Sequence, residues 1–469
     1  MKGIMRYPLL VTTYLFLFVT CAIGQTIFPS TSPGSPPAPG GEPQRGGDIP
    51  RQLTLERAEA LLIQNNLAII ASRYGVDIAR AQRLLASLKP NPTLSVSAEQ
   101  FSLTNPLSHL ITETGTAANR FYTVRYDQIF ERGGKRELRT EVADLQIKAS
   151  EAQVLDTIRQ QSFQLKQAFY TSVLARENLR TADENLYLTR GTEQLIKLHV
   201  TAGDTAEWDL IKFQAGIVQF QRDLVTSQLS YQQSARDLLN LMGSQPSSVV
   251  GTVTTSGPGG PSQMPQLLAD APLEVVGDLR IDPVKLSLDD LRQEALTNRP
   301  DVVAAQRNAE AAQRSLQLAN ALRRRDWDIG WEYQRNGGDD TFGFTFSVPL
   351  FVHNNHQAEI NIAKSQLDQA NAQLNQVKLQ AMTDVDKAFR AYEMSQKLLQ
   401  IYTGETLARA QESLDIANVS YKQGASSLLE LQDAQRTYNA TRVASNQAHF
   451  DYRMSLYQLE LATGKQVVK

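Results

Sequence analysis

Residues 326–348 have the sequence DWDIGWEYQRNGGDDTFGFTFSV, in which apolar and polar residues alternate on both sides of a glycine-rich turn. Alternation with a period of two is typical of strands with one apolar face, and the central Asn-Gly-Gly segment predicts a hairpin. Each strand has about nine residues, the length that a tilted strand needs to cross a bilayer. We expect the polar residues to face a watery lumen and the apolar ones to face lipid. The lipid-facing residues are then Trp327, Ile329, Trp331, Tyr333, Phe342, Phe344, Phe346 and Val348.

A weaker pair of alternating segments covers residues 94–99 and 122–127, so the sequence predicts four strands in all. Four strands cannot close a barrel, because the smallest membrane barrels have eight, and lipid does not tolerate an open sheet edge. Three chains that share one barrel would supply twelve strands. The alternative is a hairpin of a soluble sandwich with one buried face, although the chain offers no second sheet to cover it.

The region after the hairpin predicts one very long helix, over residues 355–421. Apolar and small residues recur there in steps of three and four, which is the spacing of a coiled coil. The recurring positions are Ile360, Ala363, Leu367, Ala370, Leu374 and Val377, and then Val385, Ala388, Tyr392, Ser395, Leu399, Tyr402, Leu414, Ala417 and Tyr421. At 1.5 Å per residue this helix is on the order of 100 Å long, too long to wrap one globular core. We predict an extended antiparallel coiled coil that turns at Gly203 and Gly424.

The two halves of the chain repeat each other. Three pairs of positions are separated by 221 residues: Ile129-Phe130 with Leu350-Phe351, Gly203 with Gly424, and Gly243 with Gly464. The opening segments Leu53-Thr54-Leu55 and Leu286-Ser287-Leu288 are instead 233 residues apart. The first half therefore contains about 12 extra residues, which we place in a polar loop at 104–119. Each half predicts a helix, two strands, a very long helix, a turn and a further helix.

These boundaries divide the chain into six segments. Lys2, Arg6, the apolar run 9–19 and the small residues before Gln25 predict a signal peptide over 1–24, within which Cys21 is either a lipidation site or a bystander. A Pro/Gly-rich flexible tether covers 25–51, and the first repeat covers 52–243. An equatorial linker follows over 244–285, then the second repeat over 286–464 and a C-terminal tail over 465–469.

Composition excludes several classes of function. The formal net charge of −2 over 469 residues gives no basic surplus for general nucleic-acid binding. The mean hydropathy of −0.32 argues against a polytopic helical membrane protein. The sequence has no nucleophile elbow, zinc-protease motif or phosphate loop. We therefore expect no enzymatic activity, no cofactor and no metal centre.

Several motifs together resemble the TolC-like outer-membrane efflux factors. The resemblance covers roughly residues 53–464, and it is carried by Asn298-Arg299-Pro300-Asp301, Tyr421-Lys422-Gln423-Gly424, Leu428-Leu429-Glu430-Leu431, Asp433-Ala434-Gln435 and Ala462-Thr463-Gly464. The junction 128–136, QIFERGGKR, and Asn91-Pro92 resemble the CzcC-like branch, which serves heavy-metal efflux pumps.

The resemblance implies an α+β outer-membrane factor, with a long antiparallel coiled-coil α-barrel and four membrane strands per chain. A homotrimer would close a 12-stranded β-barrel among outer-membrane lipids and extend into the periplasm of a bacterial cell. Its partners would be a periplasmic adaptor protein and an inner-membrane pump of the proton-driven RND class. The implied function is an exit duct for heavy-metal cations, with multidrug efflux or type I protein secretion as alternatives. An alternative of another class is a non-conducting structural protein that spans the periplasm.

The resemblance also implies where the functional residues lie. Glu412 and Asp415 occupy the stretch that carries acidic gate residues in the family; the alternative is that both are ordinary solvated helix charges. The adaptor-docking turns would comprise Gly203, Asp204, Thr205, Trp208, Gly424, Ala425, Ser426 and Leu428. Trp208 either meets a partner there or anchors the hairpin internally. Arg323-Arg324-Arg325, just before a membrane strand, meet anionic headgroups or water.

Overall fold

The computed structural model describes residues 49–99, 121–203, 205–244, 249–250, 271–336 and 339–466. Some sequence-based predictions lie outside these residues. They are the signal peptide, nearly all of the tether, the loop at 104–119, Asp204, the turn residues Gly337 and Gly338, much of the equatorial linker and the last three residues of the tail.

The first repeat contains four helices and a pair of long strands. With two short strands before them, the elements in chain order are β1 (Ile49–Pro50), β2 (Gln52–Leu53), α1 (Leu55–Asn65), α2 (Leu67–Ser87), β3 (Thr93–Glu99), β4 (Phe121–Phe130), α3 (Lys135–Ala202) and α4 (Glu207–Leu241), of which β1 precedes the first repeat. Two short strands follow, β5 (Val249–Val250) and β6 (Glu274–Val275), which pair in parallel with β1 and β2 respectively.

The second repeat has the same order of elements. It consists of α5 (Leu288–Asn298), α6 (Pro300–Ala321), β7 (Trp327–Asn336), β8 (Asp339–Ser347), α7 (Gln357–Ile401), a π-helical turn (Tyr402–Thr406), α8 (Leu407–Lys422) and α9 (Leu428–Thr463). The two halves therefore share one order of elements, and the mixed α+β architecture predicted from the sequence is confirmed.

The long helices follow the predicted coiled-coil spacing. Helix α3 has 68 residues and is about 100 Å long. In the second repeat the predicted single helix is interrupted by the π-helical turn, which adds one residue to the ladder. The buried positions reflect that addition: steps of three and four lead to Leu399, and the next fully buried position is Leu414, one residue later than an uninterrupted seam would place it. The Thr406 hydroxyl donates to the Ile401 carbonyl oxygen across the turn, at 2.7 Å.

The helices pack side by side in one order. Helix α3 contacts α2 and α4 along one side and α6 and α9 along the other. Helix α7 in turn packs on α6 and α9, and α8 packs on α9. Helices α2 and α4 therefore form one edge of this arrangement, and α7 and α8 form the opposite edge. None of the helices within the described ranges combines the length and the apolar character needed to cross a membrane.

The largest apolar cluster lies where the short strands meet the helices. Leu53 of β2 and Val275 of β6 are fully buried there, against Leu165 and Phe169 of α3 and Leu238 of α4. Two further clusters line the helices on either side, one around Tyr392 and Tyr452 and one around Leu186 and Phe213. The core is thus distributed along the coiled coil, as its length requires.

Candidate functional site

The four long strands form one antiparallel sheet in the order β3-β4-β7-β8, so the two repeats are joined through β4 and β7. That central pair runs from Phe121 opposite Asn336 to Phe130 opposite Trp327. The outer strands β3 and β8 each have one neighbour among the described strands, and their other edges are unpaired.

One face of the sheet is aromatic. The register places Tyr126 opposite Trp331, and Trp331 opposite Phe344, and the rings of Tyr126 and Trp331 stack with centroids 5.8 Å apart. Phe344 is 83% exposed, so this face is uncovered in a single chain. All the residues predicted from the hairpin to face lipid lie on it except Val348, which follows the end of β8 at Ser347. An exposed apolar surface of this size marks an interaction with lipid or protein.

The opposite face is polar and acidic. The same register brings together the carboxylates of Glu99, Asp127, Asp328, Glu332 and Asp339 and the guanidinium of Arg125. Five carboxylates against one cation leave a net charge of −4 on the strand residues of this face. Counting charges on one face of the alternating segments would have found this excess, which the alternation alone did not indicate.

The charges of that face are unevenly compensated. The Arg125 Nε donates to both carboxylate oxygens of Asp127, at 2.9 and 2.8 Å. The Oδ1 of Asp328 is buried and has no hydrogen-bond partner among the described residues. Because a buried carboxylate without a donor attracts cations, the end of this face at which β7 begins favours positively charged solutes.

The turns at the far end of the helices are set by local sequence. Gly203 follows α3 with φ 81°, and Gly424 follows α8 with φ 71°, a conformation that favours glycine. The Gly424 and Ala425 amides donate to the carbonyls of Tyr421 and Ser420, at 3.0 and 2.8 Å. Ser427 and Glu430 then form a capping box that starts α9. The turns predicted at Gly203 and Gly424 are thus present.

The predicted docking residues at these turns differ in burial. Trp208 on the first turn of α4 is 69% exposed, so it does not anchor the hairpin within one chain. Leu428 is half-buried and packs on the cluster that contains Ile196 and Phe213, which makes Leu428 the internal anchor. Thr205 and Ser426 are half-buried, and the Ser426 Oγ is buried without a described hydrogen-bond partner.

The gate candidates lie on the open side of α8. Glu412 and Asp415 are both exposed, and the Gln411 Nε2 donates to the Asp415 Oδ1 at 3.1 Å. Their neighbour Leu414 is buried, so the two carboxylates lie away from the packed seam. The structure of one chain thus leaves both side chains available to a neighbouring surface or to solvent, and their role as a gate stays a prediction.

The outer edges of the helix arrangement carry apolar stripes that the sequence analysis missed. Along α4, Ile211, Val218 and Val225 recur every seven residues and are 54%, 62% and 64% exposed. These positions lie beside the buried seam of α4, so the helix has two apolar stripes rather than one. The opposite edge has exposed apolar residues as well, namely Met394, Leu398 and Ile401 of α7 and Ile416 and Val419 of α8. Heptad spacing in residues 207–241 was the signal that could have identified the first stripe.

The Asn298–Asp301 motif is a structural joint rather than an open site. Arg299, only 4% exposed, donates through Nε and Nη2 to both oxygens of Asp301, at 3.0 and 2.7 Å. Its Nη1 reaches Asp384 Oδ2 at 3.0 Å and the Ala462 carbonyl oxygen at 3.2 Å. Burial works to raise the pKa of Asp301, but the hydrogen bonds and charge of Arg299 outweigh it and lower that pKa. The motif ties the α5–α6 joint to α7 and to the end of α9.

The junction 128–136 connects the sheet to α3. Buried Lys135 donates to both oxygens of Asp326, at 2.8 Å each, and Arg139 pairs with Glu131, with 2.9 Å between Nη2 and Oε2. These pairs fix the start of α3 against the start of β7. Among the described residues, no cluster of three or more His, Cys, Asp and Glu side chains could hold a metal ion.

The chain is similar to three characterised proteins along most of its length. It is 21% identical to nodulation protein T of Rhizobium leguminosarum bv. trifolii, over 86% of this chain and 83% of that protein. It is 21% identical to the cobalt-zinc-cadmium resistance protein CzcC of Cupriavidus metallidurans, over 83% and 85%. It is 23% identical to the pyoverdine export outer membrane protein OpmQ of Pseudomonas putida, over 78% and 71%.

Solved structures share this fold. A crystal structure of CusC, described with transmembrane channel formation, has a TM-score of 0.68 and 20% identity over 87% of this chain and 91% of that one. The outer membrane protein VceC of Vibrio cholerae has a TM-score of 0.67 and 18% identity over 88% and 97%. Residues 291–465 match the family model described as outer membrane efflux protein. Residues 291–465 are thus similar to the outer membrane efflux protein family, and this match agrees with the family resemblance and with the outer-membrane localisation that the sequence predicts.

Proposed function

We propose that this chain forms the exit duct of a tripartite efflux system and carries solutes from the periplasm across the outer membrane. The observation that carries the proposal is the sheet with one exposed aromatic face, one acidic face and two unpaired edges. Lipid can cover the first face and water the second, but lipid cannot satisfy the backbone N–H and C=O groups along the open edges of β3 and β8. Another copy of the sheet can.

Assembly as a homotrimer would satisfy both open edges of the chain. Strand β8 of one chain would pair with β3 of the next, and twelve strands would close a barrel. The apolar stripe of α4 would meet the exposed apolar residues of α7 and α8 in the neighbouring chain. A single ring would thus close the strands and the helices together, with the acidic face of the sheet inward.

Heavy-metal cations are the cargo that we propose. Three chains would place a net charge of about −12 around the lumen, three times the −4 of one sheet, and a narrow acidic pore favours cations. The similarity to CzcC supports this cargo. The similarity to a pyoverdine exporter makes an organic solute the second candidate, and the acidic lumen disfavours an anionic one.

The helical end would be the regulated entrance. Glu412 and Asp415 from three chains would form an acidic ring that controls opening. Trp208, exposed at the tip, would contribute to the surface that a periplasmic adaptor contacts, and a proton-driven inner-membrane pump would supply energy. We also propose that the segment 1–24 is removed on export and that 25–51 tethers the mature chain.

Conductance tests the proposal directly. The purified full-length chain is reconstituted in a planar bilayer, and single-channel currents are recorded for the wild type and for Glu412→Gln/Asp415→Asn. Asp289→Asn/Asp290→Asn, which removes two carboxylates from the first turn of α5, is the matched control. We expect trimeric channels that open more often in the gate variant only. Trimers that insert but never conduct, even without the gate charges, would instead support the non-conducting structural role.

A further inference from the structure

We propose that four arginines at the helical end of the sheet bind the phosphate groups of anionic phospholipids in the periplasmic leaflet. The arginine collar consists of Arg132, Arg323, Arg324 and Arg325. The inference rests on the proposed function, because it requires the aromatic face of the sheet to lie in the outer membrane. It adds a lipid ligand and a binding site that the transport role alone does not require.

The collar is assembled from two connections that meet at one end of the sheet. Strand β4 ends at Phe130 and β7 begins at Trp327, and these two residues are paired. The Arg132 backbone amide donates to the Asp326 Oδ1 at 2.9 Å. The side chain of Arg324 lies over Gly133, so closely that a Cβ at Gly133 would be 2.7 Å from its Cδ. The four arginines therefore come from neighbouring stretches of chain.

Aromatic rings hold two of the guanidinium groups at the level of the apolar face. The Arg132 Cζ lies 4.0 Å from the ring centroid of Trp327, whose side chain belongs to that face. The Arg325 Cζ lies 5.6 Å from the ring centroid of Phe351. A guanidinium stacked on a ring keeps its edge N–H groups free for a bidentate phosphate. Tryptophan next to a basic residue is also typical of the boundary between lipid tails and headgroups.

Two of the carboxylates near the collar are already used by other cations. Asp326 accepts both of its 2.8 Å bonds from buried Lys135, and Glu131 pairs with Arg139. Within the described ranges, no carboxylate lies at ion-pair distance from the guanidinium groups of Arg132, Arg323, Arg324 or Arg325, and all four residues are exposed. A phosphate diester supplies the missing negative charge, with an acyl chain that can continue along the aromatic face.

The position in the fold selects phospholipid over the lipid A of the opposite leaflet. The collar lies at the end of the sheet that continues into α3 and precedes α7, which is the periplasmic end of the proposed duct. Strand β7 has ten residues, so its far end is roughly 30 Å away. Lipid A in the outer leaflet would therefore meet the Asn336–Asp339 end and not the collar.

Native mass spectrometry of the full-length protein in nanodiscs tests the assignment. Nanodiscs of phosphatidylcholine with graded phosphatidylglycerol are compared for the wild type, for Arg132→Gln/Arg323→Gln/Arg324→Gln/Arg325→Gln, and for a control with the same change in charge. The control, Arg180→Gln/Arg222→Gln/Arg390→Gln/Arg409→Gln, removes exposed arginines of α3, α4, α7 and α8. We expect wild type and control to retain phosphatidylglycerol selectively, and each collar arginine to contribute about fivefold.

The outcomes separate the inference from the function on which it rests. A collar variant that retains phosphatidylglycerol as the wild type does, or a control that loses as much, overturns the inference alone if the trimer still inserts and conducts. Displacement of phosphatidylglycerol by lipid A at the collar overturns it as well. Failure of the wild type to enter any nanodisc overturns both proposals. Arg323→Gln/Arg325→Gln, which leaves the contacts of Arg132 and Arg324 intact, is the second variant if the quadruple change impairs folding; it should retain at least tenfold less phosphatidylglycerol.

Discussion

The backbone carbonyl oxygen of Asn65 lies so close to Gly243 that a Cβ added to that glycine would come within 2.5 Å of it. The second repeat contains the same relationship, with 3.1 Å between a Cβ at Gly464 and the carbonyl oxygen of Asn298. Both glycines have positive φ values, 66° and 72°. In each repeat, the end of the last helix thus packs against the junction between the first two helices, α1–α2 or α5–α6. The glycine at that end leaves no room for a side chain.

This relationship predicts unequal effects of the same substitution. Gly243→Ala should lower the thermal midpoint of the detergent-solubilised protein more than Gly464→Ala, because its contact with a backbone oxygen is shorter. We expect a loss of about 2–3 kcal/mol for the first and about 1–2 kcal/mol for the second. Gly191→Ala is the matched control, since nothing lies within 4 Å of a Cβ there and α3 is continuous. It should stabilise the helix by up to about 1 kcal/mol; equal losses at all three positions would contradict the close-contact explanation.

The Arg299–Asp301 pair predicts loss of stability in acid. The pKa of Asp301 is lower in the folded chain than the usual value of 3.8, because Arg299 holds its charged form. The stabilisation is complete above that usual pKa and is lost as the pH falls below it towards the folded pKa. Thermal midpoints measured from pH 7 to pH 3 should therefore fall more for the wild type than for Asp301→Asn. Parallel curves for the two proteins would show that the pair contributes nothing to acid sensitivity.

Loss of the arginine from the same joint should be more severe. Arg299→Ala leaves Asp301 and Asp384 without their shared cation and leaves the Ala462 carbonyl without a donor. Removing one member of a buried pair costs about 3 kcal/mol or more. Arg390→Ala, at an exposed i,i+3 pair on α7, should cost under about 1 kcal/mol. Comparable thermal midpoints for the two variants would disprove the structural role of the motif.

The acidic face of the sheet predicts cation selectivity. Under a tenfold KCl gradient the wild-type channel should show a reversal potential of the sign expected for cations. Asp328→Asn/Glu332→Gln should move that potential towards zero, because it removes two of the five carboxylates on the face. Asp289→Asn/Asp290→Asn serves again as the control with the same change in charge. A reversal potential that is unchanged in the sheet variant would remove the charge argument for a cationic cargo.

The stripe on α4 predicts which substitution breaks the assembly. Val218→Asp places a charge in the middle of the Ile211–Val218–Val225 stripe and should shift the protein from trimer to monomer in analytical ultracentrifugation. Val443→Asp makes the same chemical change on α9, which is flanked by helices of its own chain on both sides. The control should remain trimeric. A trimer that survives Val218→Asp would mean that α4 is not an interface helix.

Trp208 and Leu428 predict opposite kinds of defect at the tip. Trp208→Ala should reduce export in cells at least several-fold while bilayer conductance stays unchanged, because the indole is mostly exposed and supports no core. Leu428→Ala should instead lower the thermal midpoint, by about 1–2 kcal/mol, because that side chain packs on the tip cluster. Export is measured as growth of cells that carry each variant on graded zinc, cobalt and cadmium. Growth of the same cells on hydrophobic drugs shows which class of cargo the protein exports. Full export with Trp208→Ala would exclude the tryptophan from the docking surface.

The sequence predicted most of the fold because its two periodicities are long and unambiguous. The alternation around Trp331 and Phe344 gave both the strands and the shared face, and the heptad steps through Val385 and Leu399 gave the long helix. The π-helical turn at Tyr402–Thr406 could not be predicted in the same way. In the sequence, the turn shows only as a spacing between Leu399 and Leu414 that is one residue longer than the heptad pattern allows. Such a spacing is equally consistent with an interruption of the coiled coil.

The candidate site was less accessible to sequence reasoning because the distances between charges on different strands depend on register. Alternation assigns Asp127, Asp328 and Glu332 to the polar faces of their strands, but only the observed pairing of β4 with β7 shows how they lie relative to one another. Trp208 could be named from the sequence, but its exposure could not. Arg299 was recognised only as part of a motif, and its contacts with Asp384 and Ala462 join segments that are 85 and 163 residues away.

The π-helical turn occurs in one repeat only, since α3 is a continuous α-helix of 68 residues at the equivalent position. The two halves share one order of elements, and this π-helical turn makes them mechanically different. In a ring of three chains, the continuous helix α3 would alternate with the interrupted helix α7–α8. The ring would then have three flexible positions at one height rather than six. Such a tube would constrict with threefold symmetry, because only the long helices of the second repeat would bend at the π-helical turn.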